Sequence, residues 1–154
     1  MLRKLFKFHG GVHPPEHKLE STTTPIRPAP MPERLVLPLR QHIGKIGKLK
    51  VGVGDHVLKG QLLAEASGTI SAAVHAPSSG TITSIVDQLI PHPSGLPDRC
   101  ITLETDGEDR WIEHHPVDYS KMGRAALFEL LRQSGIVGLG GATFPAHVKL
   151  SPNG

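Results

Sequence analysis

The sequence has 154 residues, enough for one domain or for a small domain with extensions. Its hydrophobic content of 38%, with 17 glycines and 14 prolines, favours short strands and turns over a helical bundle. The formal net charge is +3. The single cysteine, Cys100, excludes an internal disulfide and a complete iron–sulfur ligand set within these residues. No apolar run is long enough for a membrane-spanning segment.

Residues 1–33 are predicted to form an extended basic arm. Ten Lys/Arg and only three Asp/Glu lie within residues 1–50, and the stretch 9–33 is rich in proline without an apolar period. Such a segment can meet an acidic partner or anionic lipid headgroups, or it can be a solvated flank. Nucleic acid is not expected as a partner, because Phe6 and Phe8 are the only aromatic residues of the segment.

Three histidines of the arm, His9, His13 and His17, recur every four residues and would align on a helix. Pro14 and Pro15 fall between them and prevent that helix. A metal site in the arm is therefore not expected.

Residues 34–105 are predicted to form a β domain. Short segments with apolar alternation are separated by glycine-rich turns. The predicted strands are RLVLPL, GKLKVGV, QLLAE, TISAAVHA, GTITSIV and CITLE. Two signatures, VGVGDHVLKGQLLAE (51–65) and HAPSSGTITSI (75–85), resemble biotinyl and lipoyl carrier domains, whose fold is the barrel-sandwich hybrid. In those domains Gly-Asp-x-Val-x-x-Gly-Gln and Ala-Pro-x-x-Gly mark the same turns.

A carrier domain needs an exposed lysine at the tip of the hairpin between these two signatures. There is no lysine between Gln61 and Pro77, and Lys59 lies in the earlier turn. We therefore expect a structural module without covalently attached biotin or lipoate.

Residues 106–154 are predicted to begin a second, α+β domain. The region 90–116 is typical of a loop, a strand, an Asp-Gly turn and a short strand containing Trp111. His114 and His115 are neighbours in that prediction and would face opposite ways, so they are not expected to bind one metal ion together.

One helix is predicted after this region. Asp118 or Ser120 can cap its start, and Gly135 is placed to end it in the left-handed conformation. Apolar residues recur at a spacing of three to four and form one stripe, which consists of Met122, Ala126, Leu127, Leu130 and Leu131.

The helix leads into GIVGLGGATFPAHVKL, residues 135–150. A dinucleotide fingerprint would need a glycine where Thr143 stands, and a P-loop would need Ser or Thr after Lys149. Consecutive glycines still let backbone N–H groups approach a phosphate or a flat ring, and Lys149 can add a positive charge. The alternative is a glycine-rich turn with Phe144 packed as a plug of the core.

The stretch GLGGATFPAHVKL is similar to the flavin loop of the NADH-oxidising subunit of respiratory complex I, Gly-Arg-Gly-Gly-Ala-Gly-Phe-Pro-Thr-Gly-Leu-Lys. It is closer to the RnfC/RsxC family of the Rnf/Rsx electron transport complexes, whose loop reads Gly-Leu-Gly-Gly-Ala-Thr-Phe-Pro and ends in Val-Lys-Leu. The segments FHGGVHPPEHK, LPLRQHIG, VHAPSSG and HPSGL also match that family. The resemblance covers essentially the whole chain.

The resemblance implies a peripheral subunit of a complex on the cytoplasmic face of the bacterial inner membrane. Such a complex exchanges electrons between NADH and ferredoxin or a redox-sensor protein, through FMN and iron–sulfur clusters, and couples this to ion movement. Carried onto this chain, Gly138, Gly140 and Gly141 would cradle FMN and Lys149 would bind it. Leu139 replaces the arginine of the complex I loop and so lacks a charge that could contact flavin or nucleotide there.

In the family the chain continues with the rest of a flavin and NADH domain and a segment with two [4Fe-4S] cluster motifs. The 154 residues are therefore expected to be an N-terminal part with a truncated flavin domain, inactive by itself. Two alternatives stay open, a noncatalytic scaffold or docking module and a related flavin-dependent cobalamin reductase.

Overall fold

The structure is a computed structural model that describes residues 10–11 and 14–151. The chain divides into two units, Met1–Pro30 and Met31–Gly154. In the first unit every described side chain is exposed, and the regular structure of those described residues is one 3-10 turn, Lys18–Glu20. A proline-rich sequence without an apolar period cannot bury a face of its own, which accounts for this exposure.

The second unit is mainly β. Its strands are β1 (Arg34–Pro38), β2 (Lys48–Leu49), β3 (His56–Val57), β4 (Leu62–Glu65), β5 (Val74–His75), β6 (Gly80–Leu89) and β7 (Pro97–Thr105). They form two antiparallel sheets, with strand orders β1-β7-β6-β3 and β2-β4-β5. Both sheets are consistent with the predicted barrel-sandwich hybrid, and residues 34–105, which contain them, are called the β domain below.

The predicted strands are present but differ in length. β6 and β7 are longer than predicted, because their backbones pair from Gly80 opposite Thr105 to Leu89 opposite Pro97, with one register shift between Ile82 and Ser84. The segment TISAAVHA contributes only β5, because backbone groups of its first half bond elsewhere: Ile70 C=O accepts from Lys45 N–H at 2.9 Å. The Gly-Asp turn is confirmed, with the carboxylate of Asp55 accepting from Gly52 N–H at 2.7 Å.

The core lies between the two sheets. Its members are Leu39, Val57, Leu63, Ala64, Val74, Ala76, Ile82, Ile101 and Leu103. Strand alternation places most of these side chains inside, but β4 and β7 also bury consecutive residues, among them Leu63 with Ala64 and Cys100 with Ile101. Gly80 is required where β6 meets β7, because any side chain there would collide with the backbone oxygen of Glu104.

After β7 the chain turns and returns to the β domain. The side chain of Asp106 accepts hydrogen bonds from Ser79 Oγ at 2.6 Å and from an Arg110 Nη at 3.2 Å. Lys59 N–H then donates to Arg110 C=O at 2.8 Å. The predicted short strand around Trp111 is reduced to one parallel bridge with Lys59, in which Ile112 N–H donates to Lys59 C=O at 3.0 Å.

Two helices follow, α1 (Arg124–Gln133) and α2 (Ala146–Leu150). The predicted cap of α1 is wrong: Asp118 caps a separate 3-10 turn, Tyr119–Lys121, by accepting from Ser120 N–H. Met122 is extended after that turn, so the helix restarts with Gly123 as its N-cap. Within the described residues no helix is long and apolar enough to cross a membrane.

Candidate functional site

Gly135 ends α1 as predicted and directs the chain into the glycine loop, residues 135–145. Its φ is +69°, and a β-carbon at this position would lie 2.6 Å from Ala73 C=O in the β domain. Glycine is therefore needed for both the left-handed turn and the close approach.

The glycine loop is an irregular hairpin. Val137 bridges Pro145, and Gly138 N–H donates to Phe144 C=O at 2.8 Å. At its tip Thr143 N–H donates to Gly140 C=O at 2.8 Å, and Thr143 has a φ of +42°. Neither nucleotide motif rejected at the sequence level has this geometry, since both place the glycines between a strand and a long helix.

The four residues predicted for cofactor binding fall into two groups. A β-carbon on Gly138 would lie 2.6 Å from Lys149 Nζ, so these two residues are in direct contact. Lys149 Nζ also lies 5.9 Å from the centroid of the Phe144 ring. Gly140 and Gly141 are exposed, and a β-carbon on either would meet no atom within 4 Å. The described residues offer Lys149 no carboxylate partner.

The tip of the glycine loop carries free hydrogen-bond donors. The backbone N–H groups of Leu139, Gly140, Gly141 and Ala142 donate to no acceptor within the part of the chain that the structure describes. Phe144 is half-buried rather than a core plug, and the buried residue of the loop is Pro145. The loop is thus anchored at its base and open at its tip.

A cleft of about 440 Å³ separates this tip from the β domain. Its walls are Arg40, Gln41, His42, Ile43, Gly44, Ile90, His92, Gly141, Ala142 and Thr143. Ile43 N–H donates to Ala142 C=O at 3.1 Å, which holds the two walls together. Of the four predicted residues only Gly141 lines this cleft, while Gly138 and Lys149 meet elsewhere along the loop.

His42 fixes the wall of the cleft from within. Its ring is buried; Nδ1 lies 2.9 Å from Ile43 C=O, and Nε2 accepts from Ala72 N–H at 3.0 Å. With the proton on Nδ1, both ring nitrogens are satisfied. His42 is therefore a structural residue of the wall.

Sequence reasoning missed Arg40 and His92. Arg40 Nε donates to Asp98 Oδ2 at 2.6 Å. Burial by itself raises the pKa of Asp98, but the hydrogen bonds from Arg40 and from Arg99 N–H outweigh it, and the pKa is lowered overall. Both residues lie in segments that carried the family resemblance, LPLRQHIG and HPSGL, yet neither segment has a chemical motif of its own.

The hairpin tip, residues 66–73, is where a carrier domain would present its lysine. Here an Arg132 Nη donates to Ala66 C=O at 3.0 Å and to Gly68 C=O at 3.1 Å, and His147 Nε2 lies 3.3 Å from Thr69 C=O. Side chains of both helices therefore bond to the backbone of the tip, while Gly68, Thr69 and Ile70 stay exposed. These bonds to the backbone of the tip position the two helices that flank the glycine loop.

The other reactive groups that the structure describes do not assemble into a site. His9 and His13 lie outside the described residues, and His17 pairs with Glu20 at 2.7 Å. His114 packs on Trp111 with ring centroids 4.9 Å apart. Within residues 10–11 and 14–151, no three His, Cys, Asp or Glu side chains cluster as a metal would require.

The thiol of Cys100 is equally isolated. The residue is buried in β7, and burial raises the pKa of its thiol above the usual range. Its Sγ lies 3.3 Å from Asp98 C=O. A buried, protonated thiol is a poor nucleophile, so Cys100 is a packing residue.

Comparison with known proteins gave one family and a set of close relatives. Residues 6–108 match the family described as the RnfC barrel sandwich hybrid domain. The chain is 49% identical over 148 residues to the C subunit of the ion-translocating oxidoreductase complex of Yersinia pestis bv. Antiqua (strain Antiqua), covering 96% of the chain and 24% of that protein. The proteins of the same description from Serratia proteamaculans (strain 568) and Klebsiella pneumoniae (strain 342) are 48% and 49% identical, with 96% of the chain covered. The chain spans 21% and 20% of their lengths.

Proposed function

The chain belongs to the family of RnfC barrel-sandwich hybrid domains, and from this premise we propose that it is part of a protein that carries electrons within an ion-translocating oxidoreductase complex. Its parent protein oxidises NADH through FMN and passes electrons through iron–sulfur clusters toward ferredoxin or another redox protein. In this proposal the parent is bound to the other proteins of the complex at the cytoplasmic face of the inner membrane. The glycine loop forms one edge of the FMN site.

The observation that carries the proposal is the open tip of the glycine loop. Gly140 and Gly141 present no side chains, their N–H groups are free among the described residues, and Lys149 Nζ lies beside Gly138. A flat ring or a phosphate can therefore approach the backbone, with a cation close by. These residues fit FMN, which would accept a hydride from NADH and release electrons singly.

The chain's own residues position such a cofactor. Two hydrogen bonds, from Gly138 N–H to Phe144 C=O and from Ala146 N–H to Ile136 C=O, fix the base of the glycine loop. Cofactor binding therefore does not bear the entropic cost of ordering that base. The Phe144 ring and the backbone beside Gly138 hold the ammonium of Lys149 where it can attract an anionic group. Leu139, which is fully exposed, offers an apolar contact in place of a charge.

The test is the FMN content of the full-length parent. We expect Gly140→Val with Lys149→Ala to weaken FMN binding about tenfold or more, because valine blocks the backbone and a charge-assisted contact is lost. Flavin absorbance per protein after gel filtration measures this.

The matched control is Gly123→Val with Lys48→Ala. Gly123 is also open, with no atom within 4 Å of a built β-carbon, and Lys48 is an exposed cation in β2. We expect the control to retain stoichiometric FMN. Full FMN retention in the Gly140/Lys149 variant would contradict the proposed site.

A second candidate function is a noncatalytic scaffold, favoured by the hydrogen bonds that tie the hairpin tip to the helices. Arg132 and His147 occupy its backbone acceptors, which leaves the β domain as a mount for other parts of the complex. A parent protein that assembles with its partners but never contains flavin would support this function. The related flavin-dependent cobalamin reductases remain an alternative on the sequence resemblance alone.

A further inference from the structure

We infer that the cleft between the glycine loop and the β domain binds a phosphomonoester, and that Arg40 and His92 of the β domain supply its side-chain contacts. The inference rests on the proposed flavin function and extends the site from the glycine loop onto the β domain. The phosphate of a flavin mononucleotide is the group of this chemistry that the proposed function supplies.

Arg40 presents a fixed and partly free guanidinium. Its Nε is held by Asp98 Oδ2 at 2.6 Å, while its two terminal nitrogens donate to no other described residue. The side chain is 48% exposed, so these nitrogens are reachable from solvent. A guanidinium fixed at one edge can offer its remaining N–H groups to a phosphate as a fork.

His92 adds a second donor on the same wall. Its Nδ1 accepts from Ser94 N–H at 3.2 Å and lies 2.8 Å from Ser94 Oγ. Because Nδ1 is an acceptor, the ring proton of the neutral imidazole is on Nε2. Nε2 meets no partner within the described chain, and the ring lines the cleft.

The opposite wall supplies backbone donors. The N–H groups of Gly141 and Ala142 are free among the described residues, and the bond from Ile43 N–H to Ala142 C=O holds this wall against the other. Successive free backbone amides form an anion-binding concavity.

The composition of the cleft selects an anion. Of the side chains that line it, none is a carboxylate, and the nearby Asp98 is paired with Arg40. A cation would find only carbonyl and hydroxyl oxygens here, whereas a phosphate finds donors on both walls. The cleft volume of about 440 Å³ admits a phosphate together with part of the molecule that carries it.

The test uses inorganic phosphate and the isotope-labelled chain. Titration with potassium phosphate, against potassium chloride at equal ionic strength, should give saturable NMR shifts at the amides of Gly141 and Ala142. We expect Arg40→Gln to weaken the phosphate affinity about tenfold and His92→Gln to weaken it several-fold. Lys48→Gln, which removes an exposed cation from β2, should leave the affinity unchanged.

The outcomes separate this inference from the proposed function. His92 is exposed on a loop, so His92→Gln stays informative if the loss of the Arg40–Asp98 pair disturbs the fold. Equal shifts in phosphate and chloride, or wild-type affinity in both variants, would overturn the inference.

In the full-length parent, Arg40→Gln should reduce the preference for FMN over riboflavin. If the parent binds FMN with that preference unchanged, the phosphate site is wrong and the flavin proposal stands. If the parent binds phosphate but never contains flavin, the phosphate site stands and the flavin proposal is wrong.

Discussion

The β domain and the segment that follows it, residues 106–151, differ in where their apolar side chains lie. Val57, Ile82 and Leu103 of the β domain have no accessible surface, whereas neither α1 nor α2 contains a buried residue. Helices of ten and five residues are also too short to be stable in isolation. The β domain therefore holds its own fold, and the later segment takes its structure from contact with it.

Several hydrogen bonds, most of them to backbone groups, join the two regions. Arg132 bonds to carbonyls of the hairpin tip, Asp106 to Ser79, and Ala142 to Ile43. Such bonds fix geometry but contribute less free energy than a buried apolar core. This difference suits a site whose loop must be positioned precisely while its tip stays accessible.

The largest expected effect is the loss of core packing in the β domain. Leu103→Ala should lower the free energy of unfolding by about 2–5 kcal/mol, because it leaves a cavity at a fully buried position. Urea denaturation followed by circular dichroism measures it. Val36→Ala, at an exposed position on the neighbouring strand, should change it by less than about 0.5 kcal/mol. Equal losses in both variants would contradict the assigned core.

An intermediate effect is expected at the junction. Gly135→Ala places a β-carbon 2.6 Å from Ala73 C=O and forces alanine into a left-handed conformation, which should cost about 1–3 kcal/mol locally. Hydrogen exchange should speed up in α1 and the glycine loop while the amides of β6 and β7 stay protected. Gly123→Ala, at an open position, is the control. Faster exchange in β6 as well would show that the two regions unfold together.

The smallest expected effect is a loss of stability at low pH through the carboxyl group of Asp106. Hydrogen bonds from Ser79, from Glu108 N–H, from Arg110 and from His56 hold the pKa of Asp106 well below its ordinary value. A carboxyl whose pKa is lowered by folding stabilises the protein above the ordinary aspartate pKa, and this contribution is lost as the pH falls toward the lowered value.

The measurement is urea unfolding between pH 6 and about pH 3, the range over which an ordinary aspartate takes up its proton. Asp106→Asn should be less stable than the wild type at pH 6, and the difference should shrink toward pH 3. Ser79→Ala removes the hydrogen bond that lowers the pKa of Asp106 most, so it should partly flatten the pH dependence of the unfolding free energy. A stability difference that stays constant with pH would show that Asp106 acts only through packing.

Much of the β domain could be predicted from the sequence, because its signals are local. Alternating apolar residues and glycine turns indicated the strands, and the absence of lysine between Gln61 and Pro77 argued against a carrier. The predicted helix cap failed at Asp118, because a capping residue cannot show whether the turn it starts continues. The strand around Trp111 failed because its pairing depends on which partner the fold supplies.

The sequence by itself determined the family, the β character of residues 34–105 and the glycine positions that leave a backbone open. These follow from residue types whose effects act over a few positions: side-chain alternation, left-handed turns and missing β-carbons. Only the tertiary structure separated Gly138 and Lys149 from the cleft, and only it brought Arg40 and His92 opposite Gly141. Those residues are about 50 to 100 positions apart in the chain. The connection between β6 and β7 carries His92, and the hairpin tip holds α1, which leads into the glycine loop. No local sequence pattern encodes these long-range contacts.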